Sequence, residues 1–200
     1  MTAGFETTAS TIIHAIHELS LNHSIQDKLY QEIKDVLSEF DECSSEYYER
    51  INTKTPYLEA TIKETLRKYP PLTRTSRICN TDGYQLGDLK LEADQAIDIA
   101  IIAIHKNPEY HPEPDKFSPE RFLAPNAKDL AFLPWGNGPR NCIGMKFALQ
   151  EIKTCLAKLI FCYKFEKSDP NETNLSYRKA TPFLNCFEFL TKISQRQSAI

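Results

Sequence analysis

The residues best suited to chemistry lie between Phe132 and Gly144, in the order Phe132, Leu133, Pro134, Trp135, Gly136, Asn137, Gly138, Pro139, Arg140, Asn141, Cys142, Ile143, Gly144. Three glycines and two prolines in so short a stretch make a backbone that is placed rather than free to move. From Met145 onward Phe147, Leu149, Ile152, Leu156 and Leu159 form an apolar stripe at helical spacing, so Cys142 stands just ahead of a predicted helix N-terminus. Unpaired N–H groups at a helix start stabilise an anion, and Arg140 adds a full positive charge two residues away, a setting that favours a thiolate. Two other uses of this loop fail on its own residues. A dinucleotide fingerprint starting at Gly136 and Gly138 would need glycine at position 141, which is Asn, and Pro139 interrupts the turn. A phosphate-cradling catalytic cysteine would want an arginine six residues on, where Ala148 stands. A buried structural thiol is the ordinary reading of an isolated cysteine.

Three further groupings bear on the loop. Ala3, Gly4, Phe5, Glu6, Thr7 and Thr8 combine small residues, an acid and hydroxyls on a predicted helix over 1–21, whose apolar face is Ile12, Ile13, Ile16, Leu19 and Leu21. Taken alone, helix packing through Gly4 and a solvated Glu6 account for it. Thr55 and Pro56 open another helix, the hydroxyl as cap and the proline at the first helical position, which runs to Tyr69 and stops at Pro70 and Pro71. Within it Glu64 and Arg67, three apart, share a face; a solvated ion pair would contribute little. Last, Phe117, Ser118, Pro119, Glu120, Arg121 and Phe122 precede the cysteine loop.

The loop resembles the haem-binding segment of the cytochrome P450 family, in which the cysteine thiolate is the axial iron ligand. Trp135 departs from the family's usual phenylalanine but is still a flat apolar shield. Ala3 to Thr8 resembles the family's oxygen-activating motif, Glu64-Thr65-Leu66-Arg67 its Glu-x-x-Arg motif, and Pro119 to Phe122 its Pro-Glu-Arg-Phe segment, all in the family's order. The resemblance implies a mainly α fold with small β-sheets, the C-terminal half of the cytochrome P450 fold. Residues 1–200 would be the C-terminal portion of one domain, from the distal oxygen helix to a C-terminal hairpin, with the N-terminal half and its membrane anchor absent. It makes Cys142 the ligand of haem b iron. Arg140 and Arg77 would pair with the propionates, Trp135, Gly136 and Gly144 would line the proximal side, and Ala3 and Gly4 would leave the gap for oxygen. Glu6 and Thr7 would deliver protons on the distal side, and Glu64, Arg67 and Arg121 would form a buried bidentate network. Leu72, Thr73, Thr181, Pro182 and Phe183 would border the substrate.

The remainder of the chain sets the frame. Lys and Arg are interspersed with Asp and Glu at a net charge of −3, which gives no pull toward nucleic acid. The cysteines (43, 79, 142, 155, 162, 186) form no CxxC pair and read as thiols, with Cys155 and Cys162 expected in the core. A second helix is expected on Ile25 to Leu37, capped by Asn22 or Ser24, then a loop over Asp41 to Asn52 with at most a short helix around 45–50. Tyr84 to Leu86, Leu89 to Leu91 and Ala96 to Ile99 read as strands of a small sheet beside an extended run over 72–78, and a terminal hairpin closes the chain. His14, His17, His23, His105 and His111 are taken as non-ligands, the last two in a surface connection rich in turn residues. No stretch approaches the length of an apolar membrane span.

By resemblance the activity is monooxygenation of an apolar substrate with dioxygen. Electrons would come from NADPH through a flavoprotein reductase at the cytosolic face of the endoplasmic reticulum membrane, as in animal microsomal members. The alternative is a non-catalytic fragment or isoform that at most binds haem or a partner. A haem-thiolate isomerase is a third reading, against which the Glu6 and Thr7 pair argues. These 200 residues alone are expected to aggregate and to hold haem weakly.

Overall fold

The computed structural model describes residues 2–41, 44–123, 131–169, 175–178, 181, 183–184, 186–187 and 190–196. Four long helices make the core: α1 (Thr2–Leu21), α2 (His23–Leu37), α4 (Pro56–Lys68) and α6 (Met145–Cys162), joined by the shorter α3 (Ser45–Thr53). Leu29 and Ile33 of α2, Leu58, Ile62 and Leu66 of α4, and Ile152, Leu156 and Ile160 of α6 recur every fourth residue, the spacing that lines one helical face. All are fully or almost fully buried, with Leu19 of α1 between them. Hydrophobic burial of this kind, not helix propensity, carries the stability of such helices.

α4 is enclosed on nearly every side, so even its polar residues must be satisfied internally. The Thr61 and Thr65 hydroxyls donate back to the carbonyls of Tyr57 and Thr61, each at 2.8 Å. Its N-terminus departs from the sequence expectation. The Thr55 hydroxyl donates to the Ile51 carbonyl and caps nothing. The Glu32 carboxylate of α2 instead accepts the N–H groups of Tyr57 and Leu58 at 2.7 and 2.9 Å, placing a negative charge on the positive end of the helix. α3 is likewise longer than the short helix expected around 45–50: Ser44 accepts the Tyr47 N–H, and Tyr47 and Ile51, one turn apart, are buried against the core.

The expected single small sheet is two separate antiparallel pairs. β1 (Thr75–Ile78) pairs with β4 (Ala96–Ile99), and β2 (Tyr84–Leu86) with β3 (Leu89–Leu91). A five-residue helix, α5 (Ile101–His105), grows directly out of β4, where the apolar run gave no helix signal long enough to read. The terminal hairpin forms, β5 (Tyr163–Lys167) against β6 (Thr191–Gln195). Buried Gln26 binds both the N–H and the carbonyl of Phe165, fixing this hairpin to α2. Among the described residues no helix is long and apolar enough to cross a membrane.

Candidate functional site

The cysteine loop is a closed turn ahead of α6. Gly136 and Gly138 take φ of +72° and +77°, a region that L side chains rarely enter, and this lets the chain reverse. Gly136 N–H donates to the Leu133 carbonyl at 3.1 Å and Cys142 N–H to the Trp135 carbonyl at 2.8 Å, so the cysteine backbone is pinned across the loop. Gly138–Arg140 form a single 3₁₀ turn, and Gly144 is the N-cap of α6, two residues after Cys142. Trp135 is half-buried against the core, whereas Arg140 and Cys142 are exposed. Cys142 is the single exposed thiol among the described cysteines: Cys79 is buried, and Cys155, Cys162 and Cys186 are half-buried. Cys155 and Cys162 thus sit at the edge of the core rather than inside it.

Exposed apolar side chains follow the thiol along the chain. Ile143 is fully exposed and Phe147, one turn on, is 74% exposed. On α1, Phe5 is 76% exposed beside half-buried Glu6 and Thr7. A Cβ added at Gly4 or Gly144 would meet no protein atom within 4 Å, and neither has a positive φ. Neither backbone conformation nor the protein's own packing demands glycine there, although helical glycine costs about 0.5–1 kcal/mol relative to alanine. The chemistry of these residues, an exposed thiol at a helix start, exposed apolar side chains, glycines with open space and the exposed guanidiniums of Arg140 and Arg77, is of the kind that would hold a flat apolar group with a metal centre and anionic edges. Arg77 now donates to the Thr75 hydroxyl and the Ser76 carbonyl of its own strand.

Beneath the loop lies a buried ion network. Arg67 and Glu64 have no solvent exposure; Arg67 Nε and Nη2 meet the two Glu64 carboxylate oxygens at 2.8 and 2.9 Å in a bidentate fork. The remaining donors of Arg67 reach the carbonyls of His105 (3.0 Å) and Pro114 (2.8 Å), while Glu64 accepts the Ser118 N–H at 3.0 Å. Arg121 is joined more loosely. Its Nε lies 3.4 Å from Glu64 Oε2 without hydrogen-bond alignment, and its own anchor is Nη1 to the Pro112 carbonyl at 2.9 Å. Leu72 and Phe183 form an isolated antiparallel bridge, reinforced by Leu184 N–H to the Pro71 carbonyl, so these two expected substrate residues are neighbours. Thr73 accepts the Ile102 N–H through its carbonyl. Pro182 lies outside the described residues, and Ala3 is described only as part of α1.

His105 and His111 do not lie on the surface, as the turn-rich composition suggested: they are 0% and 5% exposed. The apolar run Ile101 to Ile104 ending at His105 was the available signal, because it carries that imidazole to the inner end of α5. His14 is also fully buried, stacked on Tyr69 with ring centroids 4.5 Å apart, its Nδ1 2.6 Å from the Ser10 carbonyl. Burial holds both His14 and His105 down to a pKa of about 4 from the ordinary 6.5, against the pull of the Ser10 and Arg67 carbonyls; neighbouring His17 and His111 add to the depression. Both are therefore neutral in the fold. Their contribution to stability is complete above pH 6.5 and is lost as pH falls toward 4, each on the order of 3 kcal/mol. Urea midpoints at stepwise lower pH should fall between 6.5 and 4.5, before most carboxylates titrate, and His14→Phe should flatten that slope. An unchanged slope in the variant would defeat the assignment.

Fold and loop together define a mainly helical protein that presents an exposed thiol just ahead of a helix. A sequence model of the family described as Cytochrome P450 matches residues 1–186. The chain is 36% identical over 193 residues to "Probable cytochrome P450 6w1" of Drosophila melanogaster, covering 92% of this chain and 37% of that relative. It is 42% identical over 170 residues to "Cytochrome P450 6B1" of Papilio polyxenes (83% and 34%) and 35% identical over 180 to "Cytochrome P450 3A9" of Rattus norvegicus (88% and 35%). The chain belongs to the cytochrome P450 family, a family of haem-dependent monooxygenases, and spans about a third of the length of these curated relatives.

Proposed function

We propose that residues 1–200 supply the haem-holding portion of a monooxygenase that inserts one atom of dioxygen into an apolar organic substrate. The observation that carries this reading is the exposed Cys142 thiol, pinned through its own N–H at the head of α6 and flanked by exposed Ile143 and Phe147. Cys142 Sγ would hold the iron of haem b. The guanidiniums of Arg140 and Arg77 would pair with its propionates, Trp135 would shield it, and Gly136 and Gly144 would allow its close approach. Bound haem supplies reductive activation of dioxygen, tuned by the thiolate ligand.

The chain's own part in the reaction is the handling of protons and substrate. Glu6 and Thr7 are consecutive and half-buried near the N-terminus of α1, and Gly4 on the same stretch has open space where a Cβ would stand. Glu6 would take protons from solvent and the Thr7 hydroxyl would pass them on toward the bound cofactor. Buried Thr11 is committed elsewhere, its hydroxyl donating to the Thr7 carbonyl at 2.9 Å. Leu72, Thr73, Pro182 and Phe183 border the substrate. Electrons arrive from NADPH through a flavoprotein reductase, at the cytosolic face of the endoplasmic reticulum membrane.

The test is Thr7→Ala in the haem-loaded full-length protein. Haem content and the carbon monoxide spectrum should be unchanged, while product formed per NADPH falls by about tenfold or more and peroxide or water accounts for the difference. Undiminished coupling would remove Thr7 from the relay.

A further inference from the structure

The cysteine loop is gripped at its entry by two buried histidines that lie outside its motif. His105 Nε2 is 2.8 Å from the Leu133 nitrogen, a backbone donor, so that ring nitrogen accepts and carries no proton. The proton therefore sits on Nδ1, which donates to the Arg67 carbonyl at 3.1 Å. The neutral Nδ1–H tautomer is the one state that makes both bonds. Arg67 returns the contact, its Nη1 donating to the His105 carbonyl at 3.0 Å, so the end of α4 and the end of α5 are tied in both directions.

His111 holds the other side of the same segment. Its Nε2 lies 2.9 Å from the Ala131 carbonyl, and the Phe132 ring between the two anchors stacks on His105 with centroids 5.5 Å apart. Beyond Leu133 the next bonds belong to the loop itself, Gly136 N–H to the Leu133 carbonyl and Cys142 N–H to the Trp135 carbonyl. A shift of Leu133 thus reaches Cys142 through backbone alone, with no flexible side chain to absorb it.

We propose that His105 is a positioning residue for the cysteine loop and, through it, for Cys142 Sγ, carrying the fixed end of α4 to the loop entry; the last step rests on the reading of Cys142 as haem ligand. Partners outside the immediate ligand shell fix ligand orientation, and their loss commonly weakens a metal site 10–100-fold. Packing alone would make all polar replacements of His105 equivalent. Positioning would not, because the two ring nitrogens have separate tasks.

Two substitutions in the haem-loaded full-length protein separate those tasks. An asparagine amide reaches the position of Nδ1, so His105→Asn keeps the Arg67 bond and leaves the Leu133 N–H unpaired. A glutamine amide reaches the position of Nε2, so His105→Gln keeps an acceptor for Leu133 and gives up the Arg67 bond. The Asn variant should lose the thiolate-type carbon monoxide band about tenfold faster on standing, and the Gln variant within about twofold of the parent. Hydrogen exchange across residues 133–142, read on the same samples, should rise in the Asn variant alone. Equal band loss in the two variants, or parental exchange in the Asn variant, would overturn the proposal. If the parent itself lacked the thiolate band, the reading of Cys142 would fall, and the exchange comparison would still decide whether His105 holds the loop.

Discussion

Cys142→Ser in the haem-loaded full-length protein is expected to abolish the thiolate-type band of the reduced carbon monoxide complex and to bring turnover to background. The substitution isolates the ligand. The bond that pins this residue runs from its backbone N–H to the Trp135 carbonyl and survives the change. The side chain is exposed, so apart from the lost bond to iron the substitution should cost the fold at most about 0.5 kcal/mol. A serine hydroxyl is a far poorer donor to iron than a thiolate, and no other described cysteine is exposed to take over. Persistence of the band would mean that a different residue holds the iron, and the reading of the loop would be wrong.

The second large effect is expected at Arg67. Replacing one partner of a buried ion pair leaves the other charged and unpaired, at a cost of about 3–5 kcal/mol. Arg67→Leu should fall in this range, because it leaves the buried Glu64 carboxylate without its bidentate partner and the carbonyls of His105 and Pro114 without their donors. Many buried pairs can be exchanged for apolar residues with little loss. This one should not be exchangeable, since the double replacement Glu64→Leu with Arg67→Leu would orphan the His105 and Pro114 carbonyls and the Ser118 N–H. Urea midpoints at unchanged m-value measure both variants. A double variant as stable as the parent would show that the network contributes nothing beyond the pair itself.

Much of the local order was legible in the sequence because it depends on neighbours along the chain. The apolar spacing of Ile152, Leu156 and Ile160 makes α6 wherever it packs, and the helix start after Gly144 places Cys142 at its head. Glycines and prolines between Pro134 and Gly144 specify a tight loop, since only particular φ values let the chain reverse so sharply. The order of the motifs was enough to place the chain in its family. The partners of those motifs were decided by the tertiary fold. Glu32 caps α4 in place of Thr55, and β1 joins β4 and not β2, because contacts between residues far apart in sequence leave no periodic trace. The same holds for His105 and His111. Their segment is rich in turn residues and reads as surface, yet two imidazoles are buried there because two carbonyls and a backbone N–H inside the fold needed partners that water could not reach.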